Sequence, residues 1–186
     1  MVFRAVDYSI VMTAHELLKH QAEIAYQELR DSLEGLTQEQ SWAVTNLLPD
    51  EYLHSEGSIL SQIAHIANGK FIYASVGFRN SEIRWRELSP KIDSLWPNLE
   101  AVTAWLDEAH QYWLNAWAEV SDLEEERPRF DGTMFPGWKL ITIGIHHDEY
   151  HAGQIQLQRS ILEPSDIPPQ PEGDLWEKYC KDFPCW

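Results

Sequence analysis

Cysteine is nearly absent from this 186-residue chain, which has only two, Cys180 and Cys185, both close to its C-terminal end. Two thiols cannot build a disulfide framework, and they lack the two-residue spacing common in zinc sites, so free thiols or a redox-dependent local bridge are expected. Basic residues are scarce as well: fourteen stand against thirty acidic ones, a formal charge of −16. Such a balance repels a phosphate backbone, and no basic patch offsets it, which argues against nucleic acid as a partner. No apolar run approaches the ~20 residues that span a bilayer. The opening stretch MVFRAVDYSIVMTAHE lacks the apolar core and small-residue cleavage site of a secretory leader. There is no internal repeat and no low-complexity run. The expectation is a soluble, cytoplasmic protein that acts on a small molecule and uses neither a membrane nor nucleic acid.

What the chain does have is helical periodicity. Its hydrophobic share of 44% suffices for one domain with a sizeable core. Thr13-Ala-His-Glu16 has the form of a capping box, on a helix that can begin a turn earlier near Ser9. Leu17, Leu18, Ala22, Ala25, Leu29, Leu33 and Leu36 then keep three-and-four spacing as far as Gly35 and its neighbour. Residues 37–56 read as a connection with a short helical turn at 37–44. Ser55 or Ser58 can cap a second helix whose apolar arc is Ile59, Leu60, Ile63, Ile66, Ala67, Phe71 and Ala74. Residues 77–98, with Pro90 and Pro97, read as a long irregular connection. Asn98 caps a third helix, with a seam of Leu99, Val102, Leu106, Ala109, Trp113, Ala116 and Val120 ending in the acidic run 122–126. Asp131-Gly132 and Pro136-Gly137 mark a hairpin or tight loop. Residues 140–162 then form a long helix with Leu140, Ile143, Tyr150, Leu157 and Ile161 at core spacing. Four helices near 9–36, 57–76, 98–122 and 139–162 should pack as one antiparallel all-α four-helix bundle, since none can bury its stripe alone. Residues 1–162 make up that domain. The Pro-rich tail 163–186 is mostly extended, with Trp176, Tyr179, Phe183 and Trp186 packing back on the bundle. Nine tryptophans are more than one core of this size readily encloses, which suggests a homodimer.

The chemistry sits on the last helix. His147 and His151, one turn apart, share a face and can direct ring nitrogens at one point at about 2.0–2.1 Å, as a divalent transition metal requires. The alternative is two satisfied core histidines. Gln154, a turn further on, can hold the second ring nitrogen of a liganding histidine. Gly153 implies that something packs closely against it. On the second helix His65 shares a face with Ser58, Ser61, Asn68, Gly69, Ile72 and Val76, small neighbours that suit a cavity wall. His15, His20 and His110 read as surface positions and His146 as a flanking or interface residue. A zincin is disfavoured, because the residue after the first histidine is Asp148 and not Glu. A di-iron site would need carboxylate-x-x-His on two helices, and only Asp148-x-x-His151 and Glu51-x-x-His54 fit formally.

His65 on the second long helix, followed by His147-Asp-Glu-Tyr-His151-Ala-Gly-Gln154 on the last, resembles the DinB-like superfamily, including its YfiT-type and thiol-transferase branches. The resemblance covers roughly residues 13–162, and Ala152 stands where many members carry Arg. It implies a four-helix bundle, often dimeric, in which His65, His147 and His151 bind one divalent metal, zinc or nickel, with open positions facing a cavity. Two functions are compatible with it. One is a metal-dependent enzyme that activates a low-molecular-weight thiol or water on a small molecule, as an S-transferase or hydrolase. The other is a stress-associated metal-binding bundle without catalysis. Protons compete for each imidazole, so metal release is expected as pH falls below about 6, or lower if binding is tight.

Overall fold

The computed structural model of the chain describes residues 12–44 and 57–162. The start of the first helix near Ser9, a cap at Ser55, the Glu51–His54 pair, the aromatic tail and both cysteines lie outside the described residues. Four long helices form the bundle: α1 (Ala14–Leu33), α3 (Ile59–Phe78), α5 (Leu99–Trp117) and α6 (Gly137–Leu162). Two shorter ones, α2 (Gln38–Trp42) and α4 (Trp85–Leu95), sit in the connections, and β1 (Glu126–Pro128) and β2 (Met134–Pro136) form a small hairpin before α6. Among the described residues, no helix is long and apolar enough to cross a membrane.

Local chemistry sets most of the boundaries. Thr13 and Glu16 close the capping box that starts α1, and Ser58 and Asn98 accept backbone N–H bonds that start α3 and α5. Asp131-Gly132 is the hairpin turn, with Gly132 at φ +82°, and β1 and β2 pair antiparallel through Arg127 opposite Phe135. Backbone bonds from Gly137 N–H to the Glu125 carbonyl (3.0 Å) and from Trp138 N–H to the Leu123 carbonyl (3.0 Å) tie the start of α6 to the segment before the hairpin.

Packing pairs α3 with α5 and α1 with α6, and α3 against α6 joins the two pairs. The central element is α3, where every residue of the expected arc is buried. The α5 seam is buried at Val102, Leu106, Ala109, Trp113 and Ala116, but the helix stops at Trp117, before the acidic run.

Several expectations are corrected. The 77–98 segment holds the eleven-residue helix α4 despite Pro90. Leu88, Ile92 and Leu95 recur at helical spacing and pack onto the core, and this burial outweighs the hydrogen bond that proline deletes. On α6, Tyr150, Leu157 and Ile161 are about half exposed, whereas Ile141, Ile145, Asp148, Ala152 and Ile155 are buried. The helix is rotated by about one residue from the expected stripe, because it must face α1 and α3 together. His110 is buried at 2% exposure, stacked on Tyr26 with ring centroids 3.6 Å apart, because α1 lies over this face of α5.

The close approach expected at Gly153 occurs instead at Gly144. A Cβ on Gly144 would come within 2.6 Å of Cζ2 of Trp113, an indole with no exposed surface, while one on Gly153 meets nothing within 4 Å. Gly144→Ala should therefore destabilise the fold by about 1–3 kcal/mol. Gly153→Ala should stabilise it by up to about 1 kcal/mol through helix propensity. Urea unfolding of the two variants checks the pair, and a Gly144→Ala protein as stable as Gly153→Ala would contradict this packing.

Candidate metal centre

The packing of α3 against α6 brings His65, His147 and His151 together. One ring nitrogen from each lies within 4.8 Å of the others, and this is the only His, Cys, Asp or Glu group of that kind among the described residues. His65 and His147 are half-buried, and His151 is 3% exposed. Nε2 of His147 and Nε2 of His151 are 3.2 Å apart. Two nitrogens on one tetrahedral ion at about 2.0–2.1 Å would be separated by about 3.3–3.4 Å, so this pair already has the spacing of a shared ligand edge. The His65 ring stands 5.3 Å from that of His147 and 5.2 Å from that of His151, centroid to centroid.

The electrostatics favour neutral imidazoles. Burial pushes His147 well below its ordinary value, reinforced by His151, His65 and Lys70. Burial also lowers His151 to about 4, with His65 adding to the effect and a hydrogen bond with Gln154 opposing it. A neutral imidazole keeps the lone pair that a metal needs. Apart from that mutual contact, Nδ1 of His151 and Oε1 of Gln154 are both buried and meet no other hydrogen-bond partner among the described residues. One is a potential N–H donor and the other an acceptor, so pairing them would fix the tautomer that leaves Nε2 free to ligate. The donor set thus fits a transition metal, with three nitrogens suiting zinc, nickel or copper.

Beneath the histidines lies a buried ion pair. Nζ of Lys70 is 2.6 Å from Oδ2 of Asp148, with 2% and 0% of the side chains exposed. Burial pushes the Lys70 ammonium down and the Asp148 carboxyl up, and the attraction between them opposes both shifts. The ammonium also lies 4.6 Å from the centroid of the Trp113 ring. Asp148 is thus committed to Lys70 and does not join the histidine cluster, which removes the described half of the di-iron reading. Sequence reasoning missed this pair. Its signal was Lys70 itself, the one charged side chain between Ile59 and Phe78.

A cavity of about 940 Å³ opens on the three histidines. His65, Gly69, Ile72 and Val76 of α3 contribute to its wall, joined by Tyr73, Trp85, Phe130 and Tyr150, whereas Ser58, Ser61 and Asn68 of the face read in the sequence do not line it. Gln154 is 9% exposed and lies beside His151. His20 and His146 are exposed and stand apart from the cluster, and half-buried His15 lines a separate cavity of about 560 Å³ between α1 and α5 together with His110.

Against known families, the model of the DinB superfamily matches residues 12–155. No curated protein and no solved structure matches the chain.

Proposed function

The chain belongs to the DinB superfamily, and from that premise we propose that it is a metal-dependent enzyme whose His65, His147 and His151 hold one divalent ion, zinc or nickel, at the floor of a substrate cavity. The single observation that carries this reading is the convergence of three ring nitrogens within 4.8 Å on a cavity of about 940 Å³. When bound, such an ion favours the deprotonated form of a water or thiol in its open position, the chemistry of a hydrolase or of an S-transferase using a low-molecular-weight thiol. The protein's own contribution is orientation and exclusion. Lys70 and Asp148 link the two ligand-bearing helices beneath the site. Tyr73, Trp85 and Phe130 shape an apolar chamber where a small molecule can be held out of water.

One observation favours the second reading, a non-catalytic metal-binding bundle: among the described residues no aspartate or glutamate lines the cavity to carry a proton. Elemental analysis of protein purified without a histidine tag, followed by a screen of thiol cofactors with a chromogenic electrophile, separates the two. Metal with turnover supports the enzyme. Metal without turnover supports the bundle, and absence of metal overturns both. The homodimer belongs to the same proposal: Trp42, Trp85, Trp96 and Trp138 stay exposed on one bundle. Sedimentation of the same preparation at micromolar concentration should give twice the 21.7 kDa chain mass, and a monomer would remove this part.

A further inference from the structure

The histidine cavity has a charge pattern opposite to that of the chain around it. Thirty acidic residues give the protein a formal charge of −16. Yet among the described residues the cavity wall carries no acidic side chain, and Arg84 is its one lysine or arginine. The fold delivers that arginine specifically. After α3 the chain reverses through Asn80 and Ser81 at φ +53° and +59°. The Ser75 hydroxyl then clamps Ile83, accepting from its N–H at 2.7 Å and donating to its carbonyl at 2.9 Å. Arg84 follows as the residue just before α4, where the Glu87 carboxylate accepts its backbone N–H at 2.9 Å. Its guanidinium enters none of the ion pairs among the described residues. Beside it, Trp85 and Phe130 are each 53% exposed and both line the cavity. Large aromatic surface left open around a cavity is a signature of ligand contact.

We infer that the cavity binds a small organic carboxylate with an aromatic or apolar body. The carboxylate lies on the Arg84 guanidinium, the body lies among Trp85, Tyr73 and Phe130, and the remaining end is directed at the histidines. A carboxylate matches the planar two-pronged donor set of a single arginine, whereas a phosphate dianion would call for further cations, and the described residues of this wall supply none. The cavity volume of about 940 Å³ admits a molecule of ordinary metabolite size. The described wall, free of carboxylates, does not repel the anion within a chain that is acidic elsewhere. This inference names the substrate class of the proposed enzyme and rests on that reading for the chemistry, while the recognition by Arg84 needs no metal.

The test titrates the full chain, metal-free and zinc-loaded, with phenylacetate and with its neutral counterpart phenylacetamide at low ionic strength, following tryptophan fluorescence and calorimetry. Phenylacetate should bind about tenfold more tightly in both forms, the lower end for a charge-assisted hydrogen bond at a partly exposed site. Arg84→Gln should erase the difference, and Arg84→Lys, a point charge without the fork, should keep part of it. Because Arg84 is exposed and caps α4 through its backbone, both variants should fold, as circular dichroism will verify. Equal affinity for the two probes in the wild type, or a preference that survives Arg84→Gln, overturns the inference. Zinc uptake measured in parallel keeps the readings apart: a charge preference without metal uptake sinks the metal site alone, and metal uptake without the preference sinks this inference alone.

Discussion

Cutting one side of the Lys70–Asp148 pair is expected to lower stability by about 3–5 kcal/mol, a large share of the ~5–15 kcal/mol that holds a typical domain together. Both side chains are within 2% of full burial and their charged atoms are 2.6 Å apart. Lys70→Met strands a carboxylate in the core, and Asp148→Leu strands an ammonium whose other described contacts are the Tyr26 and Trp113 rings. Either orphan must neutralise or drag water into the bundle. The double variant Lys70→Met/Asp148→Leu removes both charges and should recover most of the loss, since a buried pair repays its own desolvation only approximately. Equilibrium urea unfolding of the four proteins reads the cycle. Single variants within about 1 kcal/mol of the wild type would mean that the pair contributes little.

The second large effect concerns the histidines. Alanine at any one of His65, His147 or His151 should cut zinc or nickel affinity by more than the roughly 10–100-fold typical of changes outside the ligand shell. Alanine at exposed His20 or His146 should leave it unchanged. Atomic absorption on dialysed protein checks this, and stoichiometric metal in the triple alanine variant would dispose of the site. The pH dependence follows from burial. His147 and His151 both titrate below their ordinary value of 6.5 in the folded chain, His151 at about 4. The unfolded chain therefore takes up protons first as pH falls. The stability held by these neutral imidazoles is complete above about pH 6.5 and is lost as pH falls toward about 4. Proton competition with a bound metal begins correspondingly late, so release belongs nearer pH 4 than the value near 6 that unperturbed histidines imply. Metal content followed from pH 7 to pH 3 shows which holds, and half-release at pH 6 would contradict the burial argument.

Those features that depend on neighbours along the chain were legible in the sequence. The capping box at Thr13, the caps at Ser58 and Asn98, the Asp131-Gly132 turn and the apolar arc of α3 are set within a turn or two of backbone. His147 and His151 share a face for the same reason, a 3.6-residue period acting over four residues. That His65 joins them was implied only by resemblance to a family, because nothing local relates residue 65 to residue 147; the approach of α3 to α6 makes it so. The rotation of α6, the burial of His110 under Tyr26 and the seating of Trp113 against Gly144 were decided by tertiary packing, where a helix must satisfy two neighbours at once. Lys70–Asp148 and Arg84 belong to the same class: a lone charge on an apolar helix and an arginine in a connection acquire meaning only when the fold brings a counter-charge to one and a cavity to the other.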